Sequence, residues 1–265
     1  MTINILVTIN KRYIDPLIVM LCSYTKNNPY PTTVYVMNTD LQERDFNTIK
    51  EHLGSTIKLV DIKIDDRRLK NAPVSKKFPI TMYYRLFAWK YLPKTINKVL
   101  YLDPDIIIRG DIMDLYQLDL KKNDFAGATH VGFFVKVFND IRLKIKYKNI
   151  YVNSGVLLMN LKELRRSSID EQTIYTYIDK NKKKLFLPDQ DIISSLYKNK
   201  ILKIDTTIYN FTEKMLKKHS LEWVEENTKI IHYCGKNKPW KKQYHGKLGK
   251  YYLKYAKEVK QKYNR

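Results

Sequence analysis

The chain has 265 residues, enough for one large domain or two small ones with a sizeable core. Lys and Arg number 49 against 27 acidic residues, a formal net charge of +22 that favours anionic partners such as nucleotides, nucleic acid or acidic lipid, or reflects lysine on solvated faces, and leaves the fold open. No run approaches the ~18 apolar residues of a membrane span, and the two cysteines, Cys22 and Cys234, lie too far apart in sequence to suggest a disulfide framework or a Cys-based zinc site.

Residues 3–9 form an apolar run that reads as a strand, with no basic segment of a signal peptide before it, and 14–26 is apolar-periodic as a helix. Pro29 and Pro31 break it, and 33–37 supplies a second strand. Thr39 with Gln42 resembles a capping box for a helix over 41–53, Gly54 suits its C-cap, and 57–64 is a third strand. This β-α-β-α-β alternation predicts an α/β domain with a mostly parallel sheet and ligands at the carboxyl ends of its strands. Residues 65–77 read as a charged surface loop and 80–92 as an amphipathic helix carrying Arg85. A buried strand follows over 98–102. Residues 124–129 read as a short strand, whereas 132–148 mixes aromatics and lysine without a clean period. After the apolar run 156–159, the pattern predicts a helix over 161–180, another opened by Pro188, and a strand over 201–204.

The buried strand at 98–102 stops at Asp103 and Asp105, separated by Pro104. If the chain stays extended there, both carboxylates leave one face, and a hard divalent cation, Mg2+ or Mn2+, makes the ionised pair favourable. The alternative is a plain Asp-Pro turn. With 8 glycines and neither a Gly-x-Gly-x-x-Gly nor a P-loop pattern, a diphosphate would have to be held by metal and side-chain cations, Lys238 among them.

Four ordered blocks then stand out: Tyr101-Leu102-Asp103-Pro104-Asp105, Asn153-Ser154-Gly155 with its apolar run, Pro188-Asp189-Gln190-Asp191-Ile192, and His232-Tyr233-Cys234-Gly235 followed by Lys238-Pro239-Trp240. Together they resemble the family 8 retaining glycosyltransferases, over about residues 1–245. The resemblance implies a GT-A fold, a Rossmann-like nucleotide-diphospho-sugar transferase architecture, with a UDP-sugar donor (galactose or glucose), a saccharide or glycoconjugate acceptor, and Mn2+, with Mg2+ as the substitute. It implies Asp103, Asp105 and His232 as metal ligands; two carboxylates and an imidazole favour Mn2+ over Mg2+. It assigns Gly235 and Lys238 to the diphosphate, Arg85 and Thr8 to the donor, and Asn153, Ser154, Asp189 and Gln190 to the transferred sugar. The implied catalytic set is Gln190, Asp189 and Asp105. Near the start the family's acidic pair is replaced by Asn10 and Lys11; Asn10 keeps an acceptor for uracil, Lys11 has none, and Tyr13 matches a base-stacking tyrosine. Gln190 is a poor nucleophile for a double displacement, so the resemblance points to front-face attack assisted by the leaving diphosphate. The run 235–240 is expected to be a lid in which Lys238 finds its partner only when a diphosphate arrives.

From Gly246 onward, Leu248, Tyr251, Tyr252, Tyr255, Val259 and Tyr263 recur at helical spacing among lysines. This segment, 246–265, is expected either to dock on the domain or to contact an anionic membrane, which would make a cytoplasmic enzyme peripheral to the inner face. The rival functions are a catalytically silent sugar-nucleotide binder and, on charge alone, a nucleic-acid-binding protein, for which no recognised motif is present.

Overall fold

A computed structural model of the protein describes residues 2–75, 78–145 and 149–263. Lys76 and Lys77 of the charged loop, residues 146–148 and the last two residues of the tail lie outside them. Nine strands are present among the described residues: β1 (Ile3–Thr8), β2 (Thr32–Asn38), β3 (Ile57–Lys63), β4 (Lys98–Leu102), β5 (Ile106–Ile108), β6 (Phe125–Gly127), β7 (Val156–Asn160), β8 (Ile201–Lys203) and β9 (Ile230–His232). Seven of them form a central sheet in the order β3-β2-β1-β4-β7-β6-β8. The strands from β3 to β4 run parallel, as does the pair β6/β8, while β7 is antiparallel to both β4 and β6. The mostly parallel α/β sheet expected from the sequence is therefore present, with one reversed strand in its middle.

The near-continuous apolar strands follow from burial on both faces. Ile5 and Val7 of β1, Val34 and Val36 of β2, and Leu100 and Leu102 of β4 enter one core; Leu6, Tyr35, Met37, Val99 and Tyr101 enter the other. The helix Ile14–Asn27 covers the first core, and the segment Ile80–Phe87 covers the second. Edge strand β3 alternates half-buried and exposed residues, among them the charged Lys58 and Asp61, which blunt it against further pairing.

Several local expectations are corrected. The capping box is formed by Gln42 and Asp45, so the helix runs Glu43–Glu51, and His52 rather than Gly54 is its C-cap. Residues 80–92 make a 3-10 helix, Ile80–Phe87, and a short α-helix, Ala88–Tyr91. They have no broad polar face, because Tyr83 donates to the Pro73 carbonyl and Tyr84 to Asp66, which wraps the 65–75 loop over them. The helix expected over 161–180 is two, Leu161–Arg166 and Glu171–Asn181; Asp170 caps the second by accepting from the Thr173 amide at 2.7 Å. The segment without a clean period contains a helix, Phe133–Leu143. Finally, the helix Gly249–Tyr263 packs on the domain: Leu248, Tyr251, Tyr252 and Tyr255 join Val19, Ile107, Phe211, Ile231 and Tyr233 in one buried cluster.

Candidate active site

Parallel pairing of β1 with β4, Leu6 against Tyr101, brings the carboxyl ends of both strands to one edge of the sheet. There the chain does not stay extended: Pro104 and Asp105 form a turn. The turn nonetheless keeps both carboxylates at one place. The Asp103 amide donates to the Gly155 carbonyl at 2.8 Å and the Tyr233 amide to the Asp105 carbonyl at 3.0 Å, so β7 and β9 pin the turn from two sides. Antiparallel pairing of Ile106 with His232 then carries the imidazole to the carboxylates. Its Nε2 lies 3.3 Å from Asp105 and 3.7 Å from Asp103.

Ligand atoms of Asp103, Asp105 and His232 all fall within 4.8 Å of one another. Their surroundings fit a divalent cation. His232 Nδ1 lies 2.9 Å from the Asn210 side-chain oxygen, and Asn210 in turn donates to Asn153 at 3.0 Å. An Nδ1–H donated to Asn210 leaves the Nε2 lone pair facing the carboxylates, the tautomer a metal ligand needs. Gly155 provides the room: a Cβ there would stand 2.1 Å from the His232 ring and 2.8 Å from an Asp103 oxygen. Burial alone would raise the Asp105 carboxyl, but Lys238 and His232 outweigh it and hold it below the usual carboxylate range. Asn210 is the member of this constellation that the sequence did not signal, being one asparagine in an unpatterned stretch.

Arg85, which the resemblance assigns to the donor, is buried and joins the sugar-side residues to the carboxylates. It pairs with Asp103 at 2.9 Å and with Asp189 at 3.3 Å, and donates to the Ser154 carbonyl at 2.7 Å. Its guanidinium lies over the Tyr101 ring, 4.1 Å from the centroid. Ser154 donates its hydroxyl to Asp189 at 2.6 Å. Asp189 is raised by burial, against the pull of Arg85 and Ser154. Both Asp189 and the half-buried Gln190 sit in the first turn of the helix Pro188–Leu196. That helix is fastened by Asp191, which accepts from Arg142 at 2.7 Å and from Tyr151 at 2.7 Å.

At the β1 end, the Thr8 hydroxyl is 3.1 Å from that of Tyr101, and Tyr101 donates to Asp103 at 2.6 Å. The Asn10 side chain accepts from the Arg12 amide at 3.1 Å, capping the turn that presents Tyr13. Tyr13 meets Trp240 edge-on with ring centroids 6.1 Å apart. Lys238 already has partners, pairing with Asp105 and donating to the Tyr233 carbonyl at 2.9 Å. Trp240 also packs on Tyr252, with centroids 5.5 Å apart. The expectation that Lys238 is partnerless without a diphosphate is therefore corrected. Gly235 supports this run with a φ of +108°, a value that side chains rarely adopt.

Known proteins resemble the chain over nearly its whole length. Lipopolysaccharide 1,2-glucosyltransferase of Escherichia coli is 28% identical over 249 residues, covering 90% of this chain and 73% of that one. Lipopolysaccharide 1,3-galactosyltransferase of Salmonella typhimurium is 25% identical over 246 residues, covering 89% and 72%. Among solved structures, galactosyltransferase LgtC in complex with donor and acceptor sugar analogues matches with a TM-score of 0.85 at 22% identity, covering 97% of this chain and 96% of that one; the shared fold is the GT-A glycosyltransferase fold. The family model Glycosyl transferase family 8 matches residues 4–244, which span every site residue described above, and the chain is a glycosyltransferase belonging to that family.

Proposed function

We propose that the enzyme transfers a hexose, glucose or galactose, from a UDP-sugar to a saccharide or glycoconjugate acceptor with retention of anomeric configuration, and that Mn2+ is its metal. The observation that carries this reading is the convergence of Asp103, Asp105 and His232 beside the buried Arg85, Ser154 and Asp189. The named activities of the similar lipopolysaccharide glycosyltransferases support the choice of hexose.

In this reading Asp103, Asp105 and His232 hold the cation. A bound divalent ion supplies Lewis-acid stabilisation of the leaving diphosphate. Lys238, with Gly235 letting the backbone approach, adds a charge-assisted contact to the phosphate oxygens. Tyr13 stacks on the base, while Thr8 and Asn10 line its side of the cleft. Arg85, Asn153, Ser154 and Asp189 hold the donor sugar. Gln190 presents an amide to the reacting face, and, since an amide is a poor nucleophile, the acceptor attacks on the face from which the diphosphate leaves. Residues 1–245 carry this chemistry.

The test is UDP release by the purified chain over a panel of UDP-sugars, with Mn2+, with Mg2+ and with chelator. UDP-glucose or UDP-galactose with Mn2+ should turn over, and Asp103→Ala or Asp105→Ala should reduce turnover by more than about 100-fold, beyond the loss typical of an outer-shell change. Full turnover in chelator, or in either variant, would rule the assignment out.

A further inference from the structure

The helix Phe133–Leu143 is amphipathic in the inverse sense. It turns Asn139 and Asp140 inward, where both are buried, and turns Phe134, Phe138 and Ile141 outward at 85%, 54% and 75% exposure. Their four- and three-residue spacing puts them on one stripe. Phe133 and Val135 flank it, exposed at 61% and 52%. From the bend before the helix Pro188–Leu196, Phe186, 55% exposed, stacks on Phe138 with centroids 6.1 Å apart, which widens the stripe into a patch. A contiguous apolar surface of this kind marks a place of contact.

The charges around the patch identify what it contacts. Two acidic residues bonded to the helix are withdrawn: Asp140 pairs with Lys136 at 2.6 Å and Asp191 with Arg142 at 2.7 Å, and both carboxylates are buried. Lys144, Lys183 and Lys184 are exposed beside it, with the Arg142 guanidinium joining the two segments through the Lys184 carbonyl. Phenylalanine flanked by lysine suits an interface whose interior is apolar and whose surface is anionic. A second copy meeting the same patch would bring its lysines against these, a like-charge juxtaposition. The terminal helix offers less to a bilayer, because its tyrosine face is already packed.

We infer that the helix Phe133–Leu143 with Phe186 is a docking face for an anionic lipid surface. The face is bolted to the cleft, since Arg142 of this helix pairs with Asp191, two residues from Asp189 in the helix Pro188–Leu196. If the function proposed above holds, the enzyme therefore meets an acceptor saccharide displayed at that surface; lipid binding itself does not depend on that reading.

Co-sedimentation of the full chain with phosphatidylcholine vesicles, with and without phosphatidylglycerol, tests the inference. The chain should sediment with the anionic vesicles and not with the neutral ones. The double substitution F134S/I141S should lower the partition coefficient at least about tenfold, and K183E/K184E independently by a similar factor, since each lysine near an anionic surface contributes roughly equally. Both positions lie outside the cleft, so UDP release on a soluble acceptor should be unchanged, separating loss of lipid binding from loss of catalysis. No sedimentation with anionic vesicles, or sedimentation indifferent to F134S/I141S, overturns the proposal. So does a dimer in analytical ultracentrifugation that F134S/I141S dissociates, which would make the patch an interface between copies.

Discussion

At the scale of single residues, the candidate cation site depends as much on what is missing as on what is present. Gly155 bears no side chain where one would touch the His232 ring and Asp103. Its backbone is nevertheless engaged, its amide donating to the Asn153 side chain at 3.1 Å and its carbonyl accepting from Asp103. Gly155→Ala should therefore keep the fold while pushing the imidazole from the carboxylates. Calorimetric titration with Mn2+ should show affinity reduced by at least about tenfold, the scale of disturbances just outside a ligand shell. Unchanged affinity would mean that His232 is not held against Gly155 when the ion binds. His232 and Arg85 also show why residue type alone misleads. A histidine after an apolar strand usually satisfies a core, and an arginine in a short helix usually faces water; here both are buried against carboxylates.

At the scale of elements, β6 begins at a carboxylate left without a hydrogen bond. Asp124 is buried, its side-chain oxygens have no partner, and the Lys200 ammonium stands 3.9 Å away. Burial raises its carboxyl to about 6, with Lys200 only partly offsetting this. A raised value in the folded state means that the fold favours its neutral form over its charged form. Stability from this group is thus present below the ordinary carboxylate range and is lost as pH rises through about 6. Asp124→Asn, which stays neutral, should show a Tm advantage over the wild type that grows between about pH 5 and pH 7. A difference in Tm independent of pH would refute the assignment. The short strand over 124–129 was visible in the sequence as an apolar run, but the carboxylate at its head gave no hint of being enclosed by β7 and the Lys200 turn.

At the scale of the whole molecule, the terminal helix is tied to the candidate site through Tyr233. The Tyr233 hydroxyl donates to the Leu248 carbonyl at 2.9 Å, while its amide holds the Asp105 carbonyl. Glu213 fixes the start of this segment by accepting from the Lys247 and Leu248 amides at 2.6 and 3.1 Å. Deleting residues after Trp240 would expose Ile107, Phe211 and Ile231, each of which is fully buried and packed in the same cluster. Loss of even a few such contacts costs several kcal/mol, on the order of 2–5 for one large aliphatic side chain. The truncated chain should melt at lower temperature and bind Mn2+ more weakly in the same preparation. An unchanged Tm with unchanged Mn2+ affinity would make the helix an appendage.

What the sequence determined by itself was whatever rests on short-range periodicity and on ordered motifs. Apolar runs of strand length alternating with helical periods specified the mostly parallel α/β sheet, because strands buried on both faces must be apolar throughout. The pair Asp103 and Asp105 marked a candidate cation site, and the four blocks marked the family. Tertiary structure decided what depends on partners distant in the chain. It buried Arg85 between Asp103 and Asp189, 18 and 104 positions away, and set Asn210 behind His232. It divided the helix expected over 161–180, where the Asp170 cap competes with continuation. It turned the apolar side of Phe133–Leu143 outward, because the buried Arg142–Asp191 pair fixes which side faces the domain. Periodicity reports that a helix has two faces; only the contacts made by each face decide which one meets the core.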